Sequence, residues 1–227
     1  MIYLNSRCYF CRQRLFIAGH GLCCVCLSKL PRLPSCCPRC GLPAENDTDE
    51  CGRCLLESPP WQSLIAFSDY CDPVRQMVID FKFHRQPHLA RILSRLWLLR
   101  WLEVKRRRNL IRADVLLSVP LHRLRRWRRG YNQSELLAQR LSYWLSCQWR
   151  PNLIVKTRAT SPQHRLSAAE RRNNLAGAFK LNGNVNGLNV AIIDDVITSG
   201  VTLTEISYVL LAGGAKTVQV WCLCRTL

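Results

Sequence analysis

The sequence predicts an α/β protein, a parallel-sheet domain preceded by a small cysteine-rich domain, and three observations carry that expectation. The C-terminal stretch reads as strand (LNVAIID, 188–194), turn (DVITSG, 195–200), helix (TLTEISYVLLAGG, 202–214) and strand (KTVQVWCL, 216–223). This is the crossover that neighbouring parallel strands need. Ten of the fourteen cysteines lie in residues 1–58, amid frequent Pro and Gly and little periodic apolar patterning. A chain of 227 residues, 48% hydrophobic, has material for one ordinary core plus a small appendage. The ESPPW segment marks the division, giving domains 1–60 and 61–227.

The larger domain opens with SLIAFSDY, whose apolar run predicts a strand. DPVRQMVIDFKF predicts a short helix begun by Asp72 with Pro73 at its first position, where a missing N–H costs nothing. HLARILSRLWLLRWLEV is a second helix, with Leu89, Ile92, Leu93, Leu96 and Leu99 spaced for one face. DVLLSVP is a short strand that runs into a basic loop, PLHRLRRWRRG. YNQSELLAQRLSYWL restores helical spacing through Leu137, Leu141, Trp144 and Leu145, and Asn132 with Glu135 has the form of a capping box. LSAAERR repeats that form with Ser167 and Glu170. In the last helix Thr202 is the expected cap, Glu205 its third-position partner, and Gly213 or Gly214 the terminator.

Cys8/Cys11, Cys23/Cys26, Cys37/Cys40 and Cys51/Cys54 each enclose two residues and are separated by loops of eleven, ten and ten. A tetrahedral zinc takes two such pairs, because each sets two thiolates on one side of a tight knuckle. Eight ligands suit two structural ions, four suit one, and binding would supply folding energy that this poorly apolar segment lacks. Redox cysteines are the competing reading, and Cys24 and Cys36 blur the register by one position. Cys71, Cys147, Cys222 and Cys224 are read as core filling. Cysteine pairs used this way imply a reducing compartment. The opening MIYLNSRCYFCRQRLF lacks a secretory pattern, and Arg91, Arg95 and Arg100 interrupt the most apolar stretch, so a cytoplasmic protein without membrane insertion is expected.

The formal charge of +18 is concentrated. Residues 100–129 hold eleven Lys/Arg against two acids, whereas residues 190–227 come out at minus one. A localised basic surface fits a polyanionic partner. Within it, Arg125, Arg126, Trp127 and Arg128 are candidate single-strand contacts: cations follow the backbone and an aromatic stacks on a base, although tryptophan more often packs a core. Trp97, Trp101, Trp144 and Trp149 flank the run, and Lys105 to Arg108 read as a solvated patch. Arg123 lies just beyond a strand end, where a guanidinium would hold a diphosphate, touch nucleic acid or simply face solvent.

Two acids stand directly before a hydroxyl-rich bend in IIDDVITSGVTL. A turn from a parallel strand into a helix presents unpaired amides to an anion. Gly200 permits close approach, and the hydroxyls of Thr198, Ser199 and Thr202 donate further bonds, making residues 198–202 a monophosphate cradle. Asp194 and Asp195 would repel that phosphate unless they engage a sugar's vicinal hydroxyls or Mg²⁺, so the fitting ligand is a sugar phosphorylated at both ends.

VAIIDDVITSGVTL resembles the ribose-5-phosphate signature of type I phosphoribosyltransferases. That resemblance implies Asp194 and Asp195 on the ribose or its metal, with Thr198, Ser199, Gly200, Val201 and Thr202 around the 5-phosphate. Purine-salvage members commonly carry an acid within the turn where this chain has Thr198, which counts against hypoxanthine or guanine. With RGYNQ, KTRATSPQHRLSAAERRNNLAGAF and the cysteine pairs, nearly the whole chain resembles the competence protein F group, also called the gluconate or DNA-utilisation group. The resemblance implies a double zinc ribbon followed by a phosphoribosyltransferase-like domain, single-stranded DNA as partner, and work alongside a DNA-uptake helicase and a recombination-loading protein. The expected function is DNA utilisation with binding of single-stranded DNA and a phosphoribosyl ligand. The alternative is an active magnesium-dependent phosphoribosyltransferase on 5-phosphoribosyl 1-pyrophosphate with Asp194, Asp195 and Arg123 as catalytic residues. A third reading makes the sugar phosphate an effector of DNA binding.

Overall fold

The computed structural model describes residues 6–121, 127, 130–157 and 177–226. Two short helices, α1 (Cys24–Ser28) and α2 (Gly52–Leu56), belong to the cysteine-rich part. They are followed by β1 (Ser63–Asp69), α3 (Val74–Phe83), α4 (Leu89–Arg108), β2 (Val115–Ser118), α5 (Gln133–Leu145) and β3 (Gln148–Trp149). Then come β4 (Ile154–Lys156), β5 (Phe179–Leu181), β6 (Asn189–Ile197), α6 (Val201–Ala212) and β7 (Thr217–Arg225).

The main sheet has the order β1-β7-β6-β2-β3 and every described pairing in it is parallel. All nine residues of β7 are buried, as expected of a strand covered on both faces. One face, through Ala191, Ile193 and Trp221, packs on α3, α4 and α5, and the other, through Val190, Ile192 and Val220, packs on α6. β4 and β5 form a separate antiparallel pair against α6.

Local chemistry sets the boundaries, with several departures from the expected ones. α3 begins at Val74 with Pro73 at the cap position, and Asp72 binds the Arg75 guanidinium at 3.2 Å instead of capping. The buried stripe of α4 runs through Leu89, Leu93, Leu96, Trp97, Trp101 and Val104, so Leu99 is exposed. Trp97 lies 4.7 Å from Trp221 between ring centroids, and Trp101 is also buried, so neither is available to a base. α5 is capped by Asn132, whose side chain accepts from the Ser134 amide at 3.1 Å. The Ser167/Glu170 cap lies outside the described residues.

The cysteine-rich part packs directly on the sheet domain. Leu15, Leu22 and Leu30 share the cluster formed by α3 and α4. The Trp61 indole donates to Arg39 O at 2.7 Å, and Asp47 takes Arg107 at 3.0 Å and Arg108 at 3.4 Å. The run from Lys105 to Arg108 is therefore only partly a solvated patch, since its last two arginines hold the loop between Cys40 and Cys51 to α4. Cys222 and Cys224 are core residues, but Cys71 is exposed. Among the described residues no helix is long and apolar enough to cross a membrane.

Candidate functional site

Two neighbouring strands set the place of the site. From β6 the chain crosses by α6 to β7 on one side, while from β2 it crosses by α5 to β3 on the other. Connections that diverge from adjacent parallel strands open a crevice beyond the carboxyl ends of those strands, and ligands of open α/β sheets bind in it. At this crevice β6 ends in Asp194, Asp195, Val196 and Ile197, and the turn that follows leads into α6.

β6 extends through both acids, past the expected end of the strand at Asp194, because Asp194, Val196 and Ile197 still pair with Cys222, Cys224 and Arg225 of β7. The turn proper is Thr198-Ser199-Gly200. Gly200, not Thr202, occupies the cap position of α6, with φ of 72°, a left-handed conformation that favours glycine. Thr202 sits in the first turn of the helix, and Thr204 donates its hydroxyl back to Gly200 O at 3.2 Å. The amides of Thr198, Ser199, Gly200 and Val201 have no protein acceptor among the described residues. They border a small polar hollow of about 60 Å³ that also meets Asp194 and Thr202. Free amides at a helix start, with hydroxyls beside them, are the donor set of an anion site.

The acids are held differently from each other. Asp195, 9% exposed, follows Ala191 and Ile193 onto the face covered by α3, where Lys82 Nζ meets its Oδ1 at 2.8 Å. Asp194 stays partly open to the hollow, accepting from Ser134 Oγ at 3.3 Å and from the Asp195 amide at 2.8 Å. Burial pushes the Asp194 carboxyl up to about 7 and the Asp195 charge adds to the rise, against the opposing pull of Lys82 and the two hydrogen bonds.

Lys82 and Ser134 are the site residues that sequence reasoning missed. A lysine in the last turn of a helix is indistinguishable from one that merely complements the dipole, and nothing local in DFKFH marks Lys82 as reaching β6. Its helix is fixed from two sides: the Tyr9 hydroxyl donates to Asp80, and the Tyr131 hydroxyl donates to Phe81 O.

Of the basic candidates, Trp127 is 83% exposed, whereas Arg123, Arg125, Arg126 and Arg128 lie outside the described residues.

The cysteines form two clusters, Cys8/Cys11/Cys23/Cys26 and Cys37/Cys40/Cys51/Cys54, each with its four sulfurs within 4.8 Å of one another. Consecutive knuckles therefore pair. Tetrahedral sulfurs about 2.3 Å from zinc lie roughly 3.8 Å apart, and the Cys11–Cys23 and Cys40–Cys51 separations are both 3.7 Å. The amides of Cys23 and Cys51 donate to Cys8 Sγ at 3.4 Å and Cys37 Sγ at 3.3 Å, an arrangement suited to thiolates. Both clusters fit structural zinc.

A scan against models of known protein families gives no match. Among curated proteins, the DNA utilization protein YhgH of Escherichia coli O157:H7 is 48% identical over 227 residues, covering 100% of both chains. Competence protein F of Haemophilus influenzae is 39% identical over 228 residues, covering 99% of each. Among solved structures, the glutamine phosphoribosylpyrophosphate amidotransferase of B. subtilis, complexed with ADP and GMP, superposes with a TM-score of 0.39 at 18% identity. That superposition covers 64% of this chain and 30% of the other, a likeness too slight to carry fold or ligand. Identity across the full length of the curated relatives does decide the family: this chain belongs to the DNA utilization and competence protein F family.

Proposed function

We propose that this protein serves DNA utilisation or competence by binding single-stranded DNA and, at the β6–α6 turn, a phosphoribosyl ligand of the 5-phosphoribosyl 1-pyrophosphate type with Mg²⁺. The carrying observation is the set of four amides, Thr198 to Val201, without an acceptor among the described residues, at a sheet switch point with Asp194 alongside. The amides and hydroxyls would fix the 5-phosphate. Asp194 would accept from ribose hydroxyls or meet the metal, while Lys82 offsets the Asp195 charge so that a dianion is not driven off. Mg²⁺ would screen the diphosphate end. Support for the DNA role comes from membership in a family whose relatives are named for DNA utilization and competence, and from the basic excess of residues 100–129.

In the same reading Arg125, Arg126, Trp127 and Arg128 contact the strand, Arg123 faces the diphosphate, and the protein works in the cytoplasm with a helicase and a recombination-loading protein. Calorimetric titration of the zinc-loaded protein with 5-phosphoribosyl 1-pyrophosphate tests the ligand. Binding is expected with Mg²⁺ and a loss of about tenfold or more in the Asp194→Asn, Asp195→Asn double variant. Unchanged affinity in that variant would remove the acids from the site.

A further inference from the structure

The turn that closes the polar hollow also forms one wall of a second, larger cleft. Ile197 to Val201 line both, and the cleft, of about 380 Å³ and open to solvent, lies between α6 and the Cys37/Cys40/Cys51/Cys54 cluster. That volume falls within the roughly 300–1,000 Å³ typical of ligand pockets, room for one nucleoside. A phosphomonoester leaves its site in one direction. A phosphodiester leaves in two, and this turn is open on two sides.

The second cleft has the surfaces a nucleoside needs. Tyr208, on α6, is 57% exposed and offers a ring face for stacking. Pro59 and Pro60 form an apolar wall, and Trp61 fixes the depth of the turn, its ring 3.4 Å from where a β-carbon on Gly200 would stand. Glu57 and Glu205 are placed to accept from exocyclic amines, and Arg53, from the Cys51–Cys54 knuckle, is placed to meet a following phosphate. Arg225, 3% exposed at this wall, pairs with Asp69 through Nη2 at 3.1 Å and adds a buried positive charge behind the cleft. On the opposite side the Lys82–Asp195 pair lowers the negative charge that a second phosphate would meet.

We infer that the turn seats an internal phosphodiester of single-stranded DNA, one nucleoside on the Asp194 side and the next in the cleft against Tyr208, so that DNA and the phosphoribosyl ligand exclude each other. This rests on the reading above that the turn holds a phosphate.

The test follows a fluorescein-labelled oligodeoxycytidylate on the full-length, zinc-loaded protein by anisotropy at fixed ionic strength with Mg²⁺. 5-Phosphoribosyl 1-pyrophosphate is added as competitor, and its own affinity is measured by calorimetry. The sugar diphosphate is expected to displace the strand. Tyr208→Ala, an exposed change, is expected to weaken the strand about fivefold or more, the scale of one stacked base, and to leave the sugar-diphosphate affinity unchanged. A strand that stays bound at saturating sugar diphosphate, or an equal strand affinity in Tyr208→Ala, overturns the shared seat while the phosphoribosyl reading stands. No calorimetric binding of the sugar diphosphate overturns that parent reading, and the shared seat falls with it.

Discussion

Asp194 combines a place in the candidate site with a cost to the fold. Its carboxyl is raised to about 7 in the folded protein from an ordinary value of 3.8, chiefly by burial and then by the Asp195 charge. The folded state thus favours the protonated acid, so this group's contribution to stability is fully present below the unfolded value and fades as pH rises through about 7. Asn in its place lacks the charge and keeps a carbonyl to accept from Ser134 and the Asp195 amide. Asp194→Asn is therefore expected to be more stable than the natural protein at pH 8 by about 1–3 kcal/mol, the advantage vanishing near pH 4. Urea unfolding across that range reads it, and an advantage that does not change with pH would assign the effect to packing.

At the scale of elements, α3 is the strut of the site. Its apolar face, Val74, Met77, Val78 and Phe81, packs into the core, and Lys82, one residue further on, reaches the acid on β6. Both partners are mostly withdrawn from water, so the pair is worth more than a surface bridge, and breaking it strands Asp195. Lys82→Ala is expected to cost about 2–4 kcal/mol of stability. Adding Asp195→Asn should restore much of that, because the stranded charge is gone. A double variant whose loss equals the sum of the two singles would show that the pair is not coupled. The β6–α6 turn is the complementary element: its hydroxyls and amides were readable from sequence because strand, glycine and helix start are consecutive, whereas the position of its cap was not, since Thr202 and Gly200 both have suitable chemistry and only the backbone path chose Gly200.

Across the whole molecule, the cysteine clusters and the sheet are one packed body. Leu15, Leu22 and Leu30 lie in the same cluster as Trp97 and Trp221, and Asp47 is clamped by Arg107 and Arg108. Structural zinc contributes on the order of 10–16 kcal/mol in finger peptides, comparable with the roughly 5–15 kcal/mol stability of a whole domain. Removing metal with a chelator is expected to lower the Tm of the entire protein by at least about 10–20 °C, read through tryptophan emission, since a loss of even about 5 kcal/mol shifts a domain this size by that much. Emission that still changes at the original temperature after the metal has gone would mean that the knuckles do not support the sheet.

Whatever depends on neighbours along the chain is legible in the residues alone. Each Cys-x-x-Cys knuckle is a single tight turn, the strand–turn–helix around Gly200 is one continuous segment, and the apolar periodicity of α5 is local. The pairing of knuckles into clusters, the contact of Lys82 with Asp195, the inward turn of Trp97 and Trp101 with Leu99 outward, and the opening of the β6–α6 turn on two hollows emerge only in the packed fold. The reason is physical: backbone propensity and spacing act over a few residues, whereas burial and charge pairing are settled between segments that meet only when the sheet closes its order β1-β7-β6-β2-β3.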